Sequence, residues 1–435
     1  MKENKVYFIG IGGIGVSALA QYYLAKGAEV SGSDLVSSEI IELLGSKGAK
    51  VIIGKHNPKN VTKDADLVIF SPAVEQNNPE FKEARKLGIK CVSYPEALGE
   101  LTKEYFTIAV SGAHGKSTTT AMISLILTKA GLDPSVIIGT KIKEFGNTNF
   151  RLGKSKYLVI EADEWKASFL NYWPKIIVLT NIEREHLDYY KDLDHILKTF
   201  REYVGHLPAE GILVVNKDID NNLKILGKEK YQVKGYSLEQ DEAKIIKNLL
   251  KVPGEHNVSN ALAALAVSRI LNIPDDNAYK SLSEYGGVWR RFDESQKNIN
   301  GKNITLINDY GHHPTEVRVT LKAVREKFPN KKIWCVFQPH QYQRTFNLFD
   351  DFVETFRKAQ IDQIAITDIY SVAGREKAAI KKKVTSKKLV DAINRENVSF
   401  LSKNKIKQFL YKRLEEGNVL LLMGAGDIYN INREL

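Results

Sequence analysis

The stretch Val110-Ser111-Gly112-Ala113-His114-Gly115-Lys116-Ser117 constrains this chain more than any other part of it. It lies between an apolar run, Phe106 to Val110, and a helix-like run, Thr118 to Ala130. A strand that delivers a glycine turn to a helix N-terminus leaves backbone N–H groups and a positive dipole end aimed at one place, which favours a phosphate. Lys116 adds a point charge for the β and γ oxygens, and the Ser117 hydroxyl is a hard oxygen ligand suited to Mg²⁺. Val110 stands where the full G-x-x-x-x-G-K-[ST] spacing has its first glycine, so the match is to a shortened GxxGKS. A plain turn before a helix is the bland alternative, and the flanking patterns favour a nucleotide site.

At 435 residues the chain is too long for one ordinary core and suggests two to four domains. Its 43% hydrophobic and 26% charged residues give a soluble globular balance. Two distant cysteines, Cys91 and Cys335, have no metal-ligand spacing and point to a reducing compartment, so the expected location is cytoplasmic. The excess of 63 basic over 52 acidic residues, +11, suits small polyanionic substrates. Lysine is scattered rather than gathered on one helix, which argues against nucleic acid. The main basic cluster, Lys377 to Lys388, reads as a solvated loop and helix face.

The N-terminus sets a trap, because a charged start runs into the apolar stretch Val6 to Ala20 and ends in Ala18-Leu19-Ala20, like a leader-cleavage site. A complete βαβ unit explains it better. Val6 to Ile9 reads as a buried strand, Gly10-x-Gly12-Gly13-x-Gly15 as a G-x-G-x-x-G turn, and Val16 to Lys26 as the helix that follows. Val30 to Ser33 is then a second strand ending at Asp34, about 20 residues beyond the turn, as in dinucleotide-type sites. No other segment is long and apolar enough to enter a membrane.

Taken in order, the chain divides into three α/β blocks. Block one, 1–104, alternates strand-like runs (Val51 to Ile53, Leu67 to Ser71) with amphipathic ones (Ile40 to Lys47, Pro79 to Leu87) and reads as a Rossmann-like parallel sheet. Ser71 falls just past a strand's carboxyl end, where ligands bind in such sheets. Block two, 105–292, is of the P-loop ATPase type and adds the runs Tyr157 to Ile160 and Ile176 to Thr180. Block three, 293–435, again reads as a Rossmann-like α/β domain, with strands at Ile304 to Ile307, Ile333 to Phe337, Ile364 to Thr367 and Val419 to Met423.

Glu161-Ala162-Asp163-Glu164 follows the run Tyr157 to Ile160 directly, where a second strand of a P-loop sheet presents its metal-binding carboxylate. Thr180-Asn181-Ile182-Glu183-Arg184-Glu185-His186 follows Ile176 to Thr180 in the same way. If those strands are parallel neighbours, Glu161, His186 and Ser117 converge on one sheet edge and hold one or two Mg²⁺. Separately, Glu161 reads equally as a helix-capping acid and His186 as a surface histidine. Gly254-Glu255-His256-Asn257-x-x-Asn260 precedes an alanine-rich helical run, Ala261 to Ile270, and offers groups for a cap or for a base edge. Trp289-Arg290-Arg291-Phe292 closes the block, with a guanidinium able to neutralise phosphate charge or to form a surface ion pair.

These motifs, in the order GIGGIGVSALA, SGAHGKSTTTAM, EADEWKASFL, TNIEREHLDYY, GEHNVSNALAALA, WRRFD, NDYGHHPTEV, FQPHQYQRT and GAGDIY, resemble the Mur ligases along all three blocks. Among them the chain looks most like the members that take L-alanine. The resemblance implies ATP-dependent amide synthesis with Mg²⁺, in which the lactyl carboxylate of UDP-N-acetylmuramate takes the γ-phosphate and L-alanine then displaces it. It implies that block one holds the UDP-sugar rather than a nicotinamide nucleotide, through Gly10, Gly12, Gly13, Gly15, Asp34 and Ser71. It places Gly112, Ala113, His114, Gly115, Lys116, Ser117 and Thr118 around the ATP phosphates, Ser117 and Glu161 on a first metal, and His186 on a second. His256, Asn257 and Asn260 match the adenine-facing motif, Asp309 the ribose acid, and Arg291 the γ-phosphate arginine. Tyr310, His312, His313 and Arg344 fall in motifs that shape the amino-acid pocket. The expected assembly is a monomer or weak dimer.

Several positions depart from the family pattern. Ser117 replaces the usual threonine and keeps the hydroxyl. Asn308 stands where an aspartate is common, Gln341 where an arginine is common, and Trp165-Lys166 in place of a Ser-Asp pair. A sister ligase that takes a preformed peptide would share blocks one and two. An NAD-dependent oxidoreductase would explain block one alone and leave Lys116 unemployed, and a scaffold protein has no use for Glu161, His186 and Arg291.

Overall fold

The computed structural model describes residues 4–227, 230–372, 376 and 378–435. Among the described residues eighteen strands form three sheets, which is the α/β class expected from the three alternating blocks. By its internal packing the chain gathers into two compact units. One holds Met1–Glu183, Ile196–Glu242 and Ser259–Leu282, and the other holds Arg184–His195, Ala243–Val258 and Ser283–Leu435.

The first sheet contains β1 (Lys5–Ile9), β2 (Glu29–Asp34), β3 (Lys50–Ile53), β4 (Leu67–Phe70) and β5 (Lys90–Ser93), in the order β3-β2-β1-β4-β5 and parallel throughout. The order reverses between β1 and β4, which is where such sheets open a crevice at the strands' carboxyl ends. The leader-like run at the N-terminus is the central strand β1 and the helix Ile14–Ala25. That helix is buried continuously from Val16 to Tyr23, so its apolar residues need no amphipathic pattern.

The second sheet contains β6 (Phe106–Ser111), β7 (Ser135–Ile142), β8 (Thr148–Arg151), β9 (Tyr157–Glu161), β10 (Ile176–Leu179), β11 (Ile212–Asn216) and β12 (Gln232–Tyr236), in the order β12-β11-β10-β6-β9-β7-β8. The sequence leaves open whether β9 and β10 are neighbours. They flank β6 on either side, both parallel to it, while β7 and β8 form an antiparallel hairpin. A buried polar network joins that hairpin to the first helix. Gln21 donates to Asn149 Oδ1 at 2.7 Å and accepts from Thr148 Oγ1 at 2.8 Å, and Asn149 donates to Ser17 Oγ at 3.0 Å. Such groups are costly to bury unless they are satisfied, so this contact helps specify how the first two sheets share a unit.

The third sheet, in the other unit, contains β13 (Asp293–Ile299), β14 (Lys302–Asp309), β15 (Ile333–Phe337), β16 (Gln363–Ile366), β17 (Val398–Phe400) and β18 (Val419–Met423), in the order β13-β14-β18-β15-β16-β17. Among the described residues of this sheet only the β13–β14 pair is antiparallel. Within the basic cluster, Lys377 lies outside the described residues, and the rest includes the helix Ala378–Lys383 and the start of Ser386–Ile393. Among the described residues no helix is long and apolar enough to cross a membrane.

Candidate active site

In the first unit, β6 runs into Gly112–Gly115 and then into the helix Lys116–Lys129, as the phosphate-turn pattern requires. Gly112 and Gly115 have φ of 131° and 83°, conformations that side chains rarely adopt. Space demands glycine there too: a Cβ at Gly112 would lie 2.2 Å from Thr180 Oγ1, and one at Gly115 would lie 2.4 Å from Asn260 Oδ1. The end of β10 braces the turn. Ala113 N donates to Asn181 O at 2.9 Å, His114 N to Asn181 Oδ1 at 2.8 Å, and Thr180 Oγ1 to His114 O at 2.7 Å. His114 Nε2 lies 3.5 Å from a Glu183 oxygen. No side chain caps the helix start at Gly115, so the first-turn amides near Lys116, Ser117 and Thr118 face the loop mouth uncapped.

Two carboxylates serve this turn separately. Glu161, at the end of β9, accepts from Ser117 Oγ at 3.0 and 2.9 Å and from Gly139 N at 2.8 Å. Ser117 and Glu161 are oxygen donors only, the set that Mg²⁺ accepts alongside water and phosphate oxygens, so these residues fit that ion. Lys116 Nζ donates to Gly112 O at 2.7 Å, to Ala113 O at 3.2 Å and to Glu164 Oε2 at 2.8 Å. Burial opposes the lysine's charge, but Glu164, Asp163 and Glu161 outweigh it and hold the ammonium's pKa above the ordinary lysine value. Glu164 sits on a turn in which Lys166 and Ala167 both take left-handed backbone, φ 52° and 54°. Each such residue costs about 1–2 kcal/mol.

The glycine turn of the first sheet lies in the same unit. Gly10 (φ 77°) approaches Ser71, with a Cβ there reaching 3.1 Å from Ser71 Cβ, so this pair flanks the switch point between β1 and β4. Gly12 N donates to Asp34 Oδ2 at 2.8 Å, and Gly13 starts the helix with no side-chain cap. Sequence reasoning missed Tyr94: a Cβ at Gly15 would lie 2.8 Å from its hydroxyl, and its pKa is raised by burial and then by the charges of Glu161 and Asp163. Only spatial neighbourhood reveals it, because nothing in Ser93-Tyr94-Pro95 marks the ring beyond a helix start.

The motif around His256 differs in local structure from the sequence reading. The helix is Glu255–Ile270, so His256, Asn257 and Asn260 lie within its first turns rather than before it. The break falls at Gly254 (φ 98°), and Asn257 anchors the new helix by donating to Pro253 O at 2.6 Å. Asn260 belongs to the first unit, beside Gly115. His256 and Asn257 belong to the second.

In the second unit, β14 ends at Asp309, whose carboxylate accepts from Phe292 N at 2.9 Å, Gly311 N at 2.8 Å and Thr320 Oγ1 at 3.2 Å. It thus fastens the Trp289–Phe292 turn, in which Arg290 and Phe292 are left-handed, to the strand end. Arg290 turns inward against Tyr310 and Tyr429, and Arg291 pairs with the buried Glu316 at 3.0 Å. His312 Nδ1 lies 3.0 Å from Tyr310 O and 3.1 Å from Glu316 Oε2. His313 is the N-cap of the helix Pro314–Lys327, a structural part that its motif position did not disclose.

Arg344 falls in a motif expected to shape the amino-acid pocket. Its Nε and Nη2 donate to Glu185 Oε1 at 3.1 and 2.6 Å, and Nη1 contacts His340 Nδ1 and O, each at 3.1 Å. Both members of the pair are buried, at 8% and 6% exposure. Burial pushes the Glu185 carboxyl up, but Arg344, His186 and His313 hold it well below the usual range. His186, in left-handed backbone at φ 53°, belongs to this unit, whereas Ser117 and Glu161 belong to the other. Beside Arg344 and Glu185 lies a hollow of about 10 Å³, room for a single water.

A GKS loop between β6 and an uncapped helix start, in one unit with a second glycine-turn sheet, defines the class of nucleotide-binding α/β proteins. The chain belongs to the Mur ligases: the family's catalytic-domain model matches residues 5–106, its middle-domain model 110–268 and its glutamate ligase domain model 290–426. It is 39% identical over 455 aligned positions to the UDP-N-acetylmuramate--L-alanine ligase of Clostridium kluyveri, covering 99% of this chain and 97% of that one. Among solved structures it is similar to the UDP-N-acetylmuramate-alanine ligase of Thermotoga maritima, with a TM-score of 0.80 at 27% identity over 99% of this chain and 97% of that one. The murein peptide ligase of Psychrobacter arcticus shares the fold, with a TM-score of 0.73 at 22% identity over 99% and 98%.

Proposed function

We propose that this chain joins L-alanine to the lactyl carboxylate of UDP-N-acetylmuramate at the expense of ATP, a cytoplasmic step of peptidoglycan precursor synthesis. The observation that carries the reading is the uncapped helix start at Lys116, with Ser117 in the helix's first turn paired to Glu161 at the end of the neighbouring strand β9. Full-length likeness to the L-alanine ligases supports the substrates. We assign the UDP-sugar to residues 1–104, ATP to 105–292 and the amino acid to 293–435, in a chain that acts as a monomer or weak dimer.

A carboxylate is a poor electrophile, and two anions must be brought together for it to react. One lactyl oxygen attacks the γ-phosphorus, the bond to the β-bridging oxygen breaks, and ADP departs. The alanine amine, once deprotonated, then attacks the acyl carbon of the resulting acyl phosphate, and inorganic phosphate leaves. Ser117 and Glu161 would hold a Mg²⁺ and His186 a second, and such ions would supply charge neutralisation on the phosphate oxygens. Lys116 and Arg291 offset the remaining negative charge, while His256, Asn257 and Asn260 take the adenine and Asp309 the ribose. Tyr310, His312, His313 and Arg344 shape the amino-acid end, and excluding water protects the acyl phosphate.

A sister activity on another amino acid or a preformed peptide draws on Asn308 and Gln341, which depart from the alanine pattern. Phosphate release with ATP, Mg²⁺ and UDP-N-acetylmuramate, measured separately with L-alanine, glycine, L-serine and a tripeptide, decides between them. Release with L-alanine and dependent on the UDP-sugar is expected. Release that ignores the UDP-sugar contradicts the assignment.

A further inference from the structure

We propose that Glu164 is a positioning residue of the ligase reaction: it fixes the Lys116 ammonium at the phosphate loop and keeps it off Glu161. The inference rests on the reading that Lys116 meets the triphosphate. The ammonium has three hydrogens, and they go to Gly112 O, Ala113 O and Glu164 Oε2. Of these partners only Glu164 is charged, and it is 2% exposed. Glu161, also nearby, is engaged differently, since both its oxygens accept from Ser117 Oγ and one also from Gly139 N. Two carboxylates three positions apart thus divide the work, one for the hydroxyl and amide, one for the lysine.

Without Glu164, the remaining anions that act on the lysine are Asp163 and Glu161. A lysine drawn to Glu161 would occupy the very oxygens assigned to the metal and would leave the loop mouth. With Glu164 in place, a triphosphate replaces the two neutral carbonyl contacts while the ionic one persists.

The turn that aims Glu164 is built for rigidity. Trp165 N donates to Asp163 Oδ1 at 3.2 Å, Ala167 N to Glu164 O at 2.9 Å and Ser168 Oγ to Trp165 O at 2.7 Å. The Trp165 ring is buried, and the Lys166 ammonium lies 4.6 Å from its centroid while donating to Pro72 O at 3.1 Å. Consecutive left-handed residues such as Lys166 and Ala167 persist only where the surroundings over-determine them.

The test uses the full-length protein and its E164A, E164Q and K116A variants, with calorimetric titration of ATP in the absence of Mg²⁺ and steady-state kcat and KM for each substrate. E164A is expected to weaken ATP binding and raise its KM about tenfold, the scale of one charge-assisted hydrogen bond. It should lower kcat while leaving KM for the UDP-sugar and for L-alanine within about twofold. E164Q, which keeps a hydrogen bond without the charge, should fall between. ATP binding that is unchanged or tighter in E164A overturns the proposal, because Glu164 would then be inert or a competitor of the triphosphate. A parallel rise in all three KM values overturns it as well, since that marks a general structural role. If E164A does not fold, the same outcomes are read from E164Q. The K116A arm separates the two levels: ATP affinity that survives it removes the loop assignment, whereas affinity lost there and kept in E164A removes only the role of Glu164.

Discussion

Lys116 in the first unit and Arg344 in the second are both cations that the sequence places in substrate-binding motifs, and each is held by a buried glutamate, at 2.8 and 2.6 Å. The pairs differ in what remains open. Lys116 has one ionic partner and two backbone carbonyls, which an incoming phosphate can replace without stranding a charge. The guanidinium of Arg344 is engaged on both arms, by Glu185 on one side and His340 on the other. Similar pairings therefore leave one cation poised for an anion and the other held on both arms, where it fastens Arg184–His195 to the helix Tyr342–Asn347 and so shapes the amino-acid end proposed above.

The largest effect that sharpens this contrast is Lys116→Ala, which should lower kcat by about 10²- to 10³-fold. UDP-sugar affinity, measured by direct titration, should be retained, and its collapse would mean that the two sites are not separable. Arg344→Ala should act first on stability, because it leaves Glu185 buried without its cation. A loss of about 3–5 kcal/mol is expected in the unfolding transition of the second unit. Removing both partners with apolar residues should restore much of it. If Arg344→Ala instead unfolds like the parent while losing activity as Lys116→Ala does, the contrast breaks.

How much of this the sequence disclosed follows the same divide. The phosphate loop was legible because its logic is local: Gly112 and Gly115 satisfy backbone and space requirements within one turn, and Glu161 follows its strand directly. The all-parallel first sheet was legible from near-continuous apolar runs such as Val6 to Ile9. Strands β8, β12 and β13 escaped notice because they are short or carry exposed polar residues, whereas β7 and β11 are buried apolar runs that the reading passed over. The pairings of Glu185 with Arg344 and of Glu316 with Arg291 span 159 and 25 positions, and no spacing rule joins them. The GEHN motif read as a pre-helix segment because its polar residues mask the first turns of Glu255–Ile270.

A smaller effect is expected at Gly115. Gly115→Ala forces a side chain into left-handed backbone and against Asn260, at a cost of about 1–2 kcal/mol in stability. Weaker ATP binding should accompany it, and a stabilised variant would show that the loop is looser than its geometry implies. The smallest concerns pH in the second unit. Burial, then Arg291, lowers the His256 pKa to about 4, and burial lowers that of His312 to about 3 although Glu316 pulls the other way. Both stay neutral in the folded protein, while an unfolded chain takes up protons below about 6.5. Stability is thus fully present above pH 6.5 and is lost as pH falls towards 4, by about 1 kcal/mol per histidine between pH 6.5 and 5.5. His312→Gln should flatten the pH dependence of the unfolding midpoint, and an unchanged slope would place the protons elsewhere.

Isotope transfer tests most directly whether the phosphate loop brings the γ-phosphate of ATP onto a carboxylate. UDP-N-acetylmuramate labelled with ¹⁸O in its lactyl carboxylate is turned over with ATP and L-alanine, and the inorganic phosphate is read by mass spectrometry. Acyl-phosphate chemistry predicts that each phosphate released carries an oxygen from the carboxylate. Unlabelled phosphate, or label appearing in a nucleotide product, would contradict it.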